Sequence, residues 1–165
     1  MRKSIVVTLM VLCLTVSLAS IAAAERGYLF VGTDFHGTGI NEPAHTIVAG
    51  EFQFTDQFAL GVDKVLGDSG FGLGARYGVG TGVYANVYID SGSVPFWTAG
   101  AFIEREVSER LDLRAVLGVF VGKDGSDTVF VPSGAVQLKY DLDGPFAIMG
   151  EITMGTALVG LGYQF

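Results

Sequence analysis

The chain has 165 residues, half of them hydrophobic, with a formal charge of −7 and a mean hydropathy of +0.48. Lys and Arg are few and scattered, which excludes the clustered basic surface that nucleic acid requires. A single cysteine, Cys13, excludes a disulfide framework.

Met1-Arg2-Lys3 precedes an apolar run from Ile5 to Ile21 and then Ala22-Ala23-Ala24. These are a basic n-region, an h-region and a small-residue cleavage site in the order of a secretory signal, so residues 1–24 are expected to be a removed signal peptide. The run barely reaches the roughly 20 residues of a spanning helix and lacks a basic stop. Cys13 follows the bulky Leu12, where lipidation would need a small residue, so the thiol is expected to leave with the signal. Its loss removes two of the ten basic residues and leaves a formal charge of −9 on one expected domain, residues 25–165.

That domain holds all 24 glycines and all 12 phenylalanines, a glycine share far above the roughly 7% of ordinary proteins. Glycine at that density disfavours helices. No apolar run after residue 24 approaches a spanning helix, so the apolar content is dispersed in short pieces, as in a transmembrane β-barrel.

Period-two alternation, broken by clusters of Gly, Asp, Ser, Asn and Pro, predicts ten antiparallel strands in an up-and-down meander, with eight as the alternative. The expected strands are 27–35, 45–54, 58–66, 71–79, 82–90, 96–106, 110–121, 129–140, 146–153 and 156–165. Pro132 removes a ladder donor, so a start after it is the alternative for the eighth. The clearest alternation sets Leu111, Leu113, Ala115, Leu117, Val119 and Val121 on one face, against Arg110, Asp112, Arg114 and Gly118 on the other. One face suits lipid, and the glycines of the other make room for large charged neighbours in a narrow lumen.

The inward set expected from this pattern is Glu51, Asp63, Arg76, Glu104, Glu106, Arg110, Asp112, Arg114 and Glu151. Both signs are present, which predicts mutually satisfied ion pairs that plug the lumen, because an unpartnered buried charge is costly. Arg105 falls on the lipid face beside a turn, where it can snorkel. The aromatic residues sort into two rims: Phe54, Phe58, Tyr77, Tyr140, Phe146, Tyr163 and Phe165 at one, and Phe35, Phe71, Trp97 and Phe130 at the other, as interfacial girdles would.

Other constellations are weaker. His36 and His45, with Asp34 and Glu42 nearby, lack the paired spacing of a metal site, so no metal is expected. The glycine-rich GFGLGARYGVG opens no helix and lacks a Gly-Lys-Ser/Thr ending, so no nucleotide or other cofactor is expected either.

The last ten residues, TALVGLGYQF, put Ala157, Val159, Leu161, Tyr163 and Phe165 on one face. This closely resembles the terminal strand of bacterial outer-membrane β-barrel proteins, which ends in phenylalanine with an aromatic two residues earlier and alternating apolar residues before it. The resemblance is to an architecture and identifies no subfamily. It implies an outer-membrane, porin-like barrel among lipid and lipopolysaccharide, with both termini periplasmic. It also implies periplasmic chaperones during export and a barrel-assembly machinery that reads the terminal strand by β-augmentation.

A structural or interaction role without catalysis is therefore expected. One alternative is an outer-leaflet enzyme: the chain resembles the small-barrel lipid A palmitoyltransferases and deacylases in having His36 and Asp68-Ser69 in adjacent outer connections, where acyl transfer would need a base and a hydroxyl. It lacks the amphipathic N-terminal helix of the palmitoyltransferases, and Asp68-Ser69 also suits an ordinary turn. The other alternative is a soluble periplasmic barrel with an apolar ligand inside, which requires the opposite assignment of faces.

Overall fold

The computed structural model describes residues 26–36, 45–67, 70–89, 95–124 and 127–165. The expected signal peptide, 1–24, lies outside the described residues. Ten strands follow in sequence: β1 (Arg26–His36), β2 (His45–Gln53), β3 (Phe58–Val65), β4 (Phe71–Val79), β5 (Thr81–Ile89), β6 (Phe96–Ser108), β7 (Leu111–Asp124), β8 (Asp127–Asp141), β9 (Phe146–Thr153) and β10 (Thr156–Gln164). Each pairs antiparallel with its sequence neighbours, and β1 pairs with β10 to close the barrel. Arg26 and Phe165 therefore share one end, here the near end.

Closure fixes the geometry. Followed once around the barrel, the register returns to β2 displaced by about twelve residues, a shear that fits strands tilted at about 35–45°. The shift is even, as it must be for alternate side chains to keep facing the same way at the β1–β10 seam. One register irregularity, between Glu106 and Ser108, lies at the near end of β6.

The two faces differ sharply. Leu29, Val31, Val83, Leu117, Val119, Val136, Leu138, Ile152, Val159 and Leu161 are exposed on the outside, whereas their neighbours along each strand turn into the lumen. The apolar side chains face outward, the reverse of a barrel that encloses an apolar ligand. At the near rim Phe58, Tyr77, Tyr140, Phe146, Tyr163 and Phe165 are exposed, and at the far rim Phe35, Trp97 and Phe130. Phe54 joins the near group by packing on Phe58, with ring centroids 6.0 Å apart. Phe71, partly covered, begins β4 at the far rim.

Two details refine the expected strands. β8 runs straight through Pro132, which sits opposite Val119 of β7, because β9 pairs with β8 only from Ala135 onward. A proline is tolerated on such an open edge. β6, β7 and β8 are also longer than the alternation suggests, the last two reaching Asp124 and Asp127 as a projecting hairpin. At the tight β4–β5 turn Gly80 adopts φ +65, a left-handed conformation that glycine takes at little cost.

Glycines also let strands approach closely at the seam, where Gly160 faces Gly32. A Cβ on Gly160 would press into the Val31 carbonyl and the Gly32 Cα, which are backbone and cannot rotate away. Gly160→Ala should therefore destabilise the barrel by about 1–3 kcal/mol. Gly150→Ala, whose Cβ would meet nothing nearer than the Leu158 carbonyl at 3.6 Å, should stay within about 0.5 kcal/mol of the parent. Urea titration of the folded fraction, read by heat-modifiable gel mobility, checks the contrast.

Candidate functional site

The alternation that turns apolar residues outward delivers Glu51, Arg76, Glu104 and Arg114 to the lumen from β2, β4, β6 and β7. They meet near the near end, since Glu51 is two residues from the end of β2 and Arg114 three from the start of β7. Arg76 Nη2 lies 2.9 Å from Glu51 Oε1 and its Nη1 lies 3.6 Å from Glu104 Oε2. Arg114 Nη1 lies 3.2 Å from Glu51 Oε2 and its Nη2 lies 3.3 Å from Glu104 Oε2. Two guanidiniums and two carboxylates thus form an electrically balanced cluster across the waist of the lumen.

The cluster is well shielded: the Arg76, Arg114 and Glu51 side chains are 14%, 15% and 18% exposed. Such charges persist in a narrow interior only when each finds partners. Glu51 is the hub, receiving both arginines, and Arg76 also lies over the Phe102 ring, 5.3 Å from its centroid. Arg114 Nη1 donates to Gln137 Oε1 at 3.3 Å, and Gln137 Nε2 donates to Glu151 Oε2 at 2.5 Å, extending the network through β8 to β9.

The other expected lumen charges separate from this cluster. Asp112 pairs with Lys139 Nζ at 2.9 Å, and Asp141 lies 3.5 Å from the same ammonium. Arg110 sits in the β6–β7 turn and bonds the exposed Asp143 at 3.1 Å, so it belongs to the rim. Glu106 stands opposite Asp112 and forms no ion pair among the described residues. Asp63 faces the lumen opposite Gly72, where its carboxylate fills the space a Cβ would take. Arg105, exposed at the near end, donates to the Glu104 carbonyl at 3.2 Å.

Sequence reasoning missed Gln137, Lys139, Phe102 and Tyr28, the last of which is the cross-strand neighbour of Glu51. Gln137 and Lys139 were signalled by alternation with the outward Val136, Leu138 and Tyr140. Asp68, Ser69, Glu42 and the His36 side chain lie outside the described residues. No group of three metal-ligating side chains occurs among the described residues.

A cavity of about 870 Å³ borders both faces of the waist, touching Arg26, Asp56 and Lys139 at the near end, and Asp63, Asn86, Thr98 and Thr153 beyond the cluster. Farther out, Tyr88, Phe96 and Phe120 stack along one wall, with centroids 4.8 and 5.0 Å apart.

Removing the hub tests the cluster. Glu51→Ala leaves two guanidiniums sharing one carboxylate and should cost about 3–5 kcal/mol. Asp56→Ala, which breaks the exposed pair between Arg26 and Asp56, should cost less than about 1 kcal/mol. Denaturant midpoints of the two folded variants give the comparison.

No family model matches the sequence, and no curated protein matches it. Among solved structures, the KdgM porin in complex with disordered oligogalacturonate aligns with 84% of this chain and 99% of its own, at 12% identity and a TM-score of 0.50. A designed transmembrane β-barrel aligns with 86% of this chain and 97% of its own, at 12% identity and a TM-score of 0.47. The outer membrane protein Ail of Yersinia pestis, in a phospholipid bilayer nanodisc, aligns with 85% of this chain and 99% of its own, at 13% identity and a TM-score of 0.46. At these identities the likeness is one of fold: the chain is a closed, ten-stranded barrel with the fold of the bacterial outer-membrane β-barrels.

Proposed function

We propose that this protein resides in the outer membrane as a structural or interaction barrel without catalytic activity, its lumen plugged at the waist by charged side chains. One observation carries the reading: an apolar outer belt bounded by two aromatic rims surrounds an interior that holds the charges. A bilayer rewards that belt, and the absence of water in its core demands a closed backbone ladder, which β1 and β10 complete. The balanced cluster of Glu51, Arg76, Glu104 and Arg114 supports the plug, since its members hold one another across the lumen. In this reading the signal peptide is cleaved on export, and lipid and lipopolysaccharide surround the belt.

Assembly in this reading uses the last strand. Phe165 extends the β1–β10 ladder through two backbone hydrogen bonds with Gly27, each 3.0 Å, and its ring lies 6.1 Å from that of Phe52. The alternating face ending at Phe165 is what a barrel-assembly machinery would read, after delivery by periplasmic chaperones.

Fractionation of cells expressing the full chain tests the location. The expected result is recovery in the outer membrane, with faster gel migration of the unheated sample. Phe165→Ala should lower that recovery while leaving total synthesis unchanged. Recovery in the soluble periplasm would overturn the reading.

A further inference from the structure

One cavity touches residues on both sides of the charge cluster at the waist. Its volume of about 870 Å³ is large enough to hold water. What such a space admits depends on the charge that its walls leave uncompensated.

The cations on the cavity wall are each matched. At the near end Arg26 pairs with Asp56 at 3.0 Å and Lys139 with Asp112 at 2.9 Å. At the waist Arg76 and Arg114 are shared between Glu51 and Glu104. Among the described residues two wall carboxylates form no ion pair, Asp63 and Glu151, and both lie on the far side of the waist. Glu151 accepts from the neutral Gln137 amide, and Asp63 stands against Gly72. The remaining polar wall there is neutral, with Asn86, Thr98 and Thr153.

We propose that the space beside the plug is a water-filled path for small monovalent cations, with Asp63 and Glu151 as its selectivity-determining residues. The proposal rests on the outer-membrane reading. A cation entering from the far side meets uncompensated carboxylates and then a waist of zero net charge; an anion meets repulsion first and gains nothing at the waist, where both guanidiniums are already engaged. Rings of carboxylates select cations by this principle, and low-dielectric walls strengthen it.

The test uses folded protein purified from outer membranes and reconstituted in planar bilayers of zwitterionic lipid under a KCl gradient. The expected result is a small steady current with a potassium-to-chloride permeability ratio above one. Asp63→Asn/Glu151→Gln, which keeps the hydrogen bond to Gln137 available, should lower that ratio severalfold with heat-modifiable mobility unchanged. Asp63→Asn alone should lower it in part and serves if the double variant does not fold. A folded, heat-modifiable barrel that carries no current above lipid, a ratio of one or less, or a ratio indifferent to these substitutions would overturn the path and leave the outer-membrane reading intact. Recovery in the periplasm without heat-modifiable mobility would overturn both.

Discussion

An unpaired backbone amide or carbonyl has nothing to bond with inside hydrocarbon, and the cost of several kcal/mol per group rules out any open edge there. The pairing of β1 with β10 answers that constraint, and the rest of the architecture follows from it. Closure at an even shear forces side chains to alternate between outside and lumen all the way round. Because the barrel is narrow, the inward half must be small in most places and can be large only where partners meet. Gly32, Gly100, Gly118 and Gly160 belong to the first kind; Glu51, Arg76 and Arg114 belong to the second.

The waist shows how the lumen resolves two opposed costs. Four charges are withdrawn from bulk water, yet each carboxylate touches both guanidiniums, so desolvation is offset by geometry rather than by exposure. The same arrangement ties four strands to one another across the barrel, where backbone ladders link only neighbours. β2 and β7 are far apart along the wall, but Glu51 and Arg114 join them directly. Side chains thus brace a shell that hydrogen bonds alone would leave free to flatten.

Much of this was legible in the sequence because period-two alternation is a local property. Leu111 through Val121 announce a strand and its apolar outer face without reference to any other segment, and the aromatic rims follow once strand directions are set. Pairings across the lumen are not local. Glu104 and Arg114 could be matched from one hairpin, but Glu51 and Arg114 are 63 residues apart, and their meeting depends on strand number and shear together. Arg110 looked inward by the same alternation and instead serves the rim, since the turn that contains it ends the pleat. Pro132 left two starts open for a related reason: the cost of a missing donor depends on whether a neighbouring strand is there to receive it, which the residue itself does not reveal.

The register slip between Glu106 and Ser108 bears on how such a chain can change over time. Elsewhere a one-residue insertion within a strand would exchange the outer and lumen sets for the remainder of that strand, sending carboxylates to the apolar outside. At the near end of β6 an odd residue, Val107, is already absorbed beside the turn, beyond the last inward carboxylate of that strand. Length variation in descendants of this chain is therefore confined to the hairpin tips and to such slips, while within the strands the reading frame of the fold advances two residues at a time.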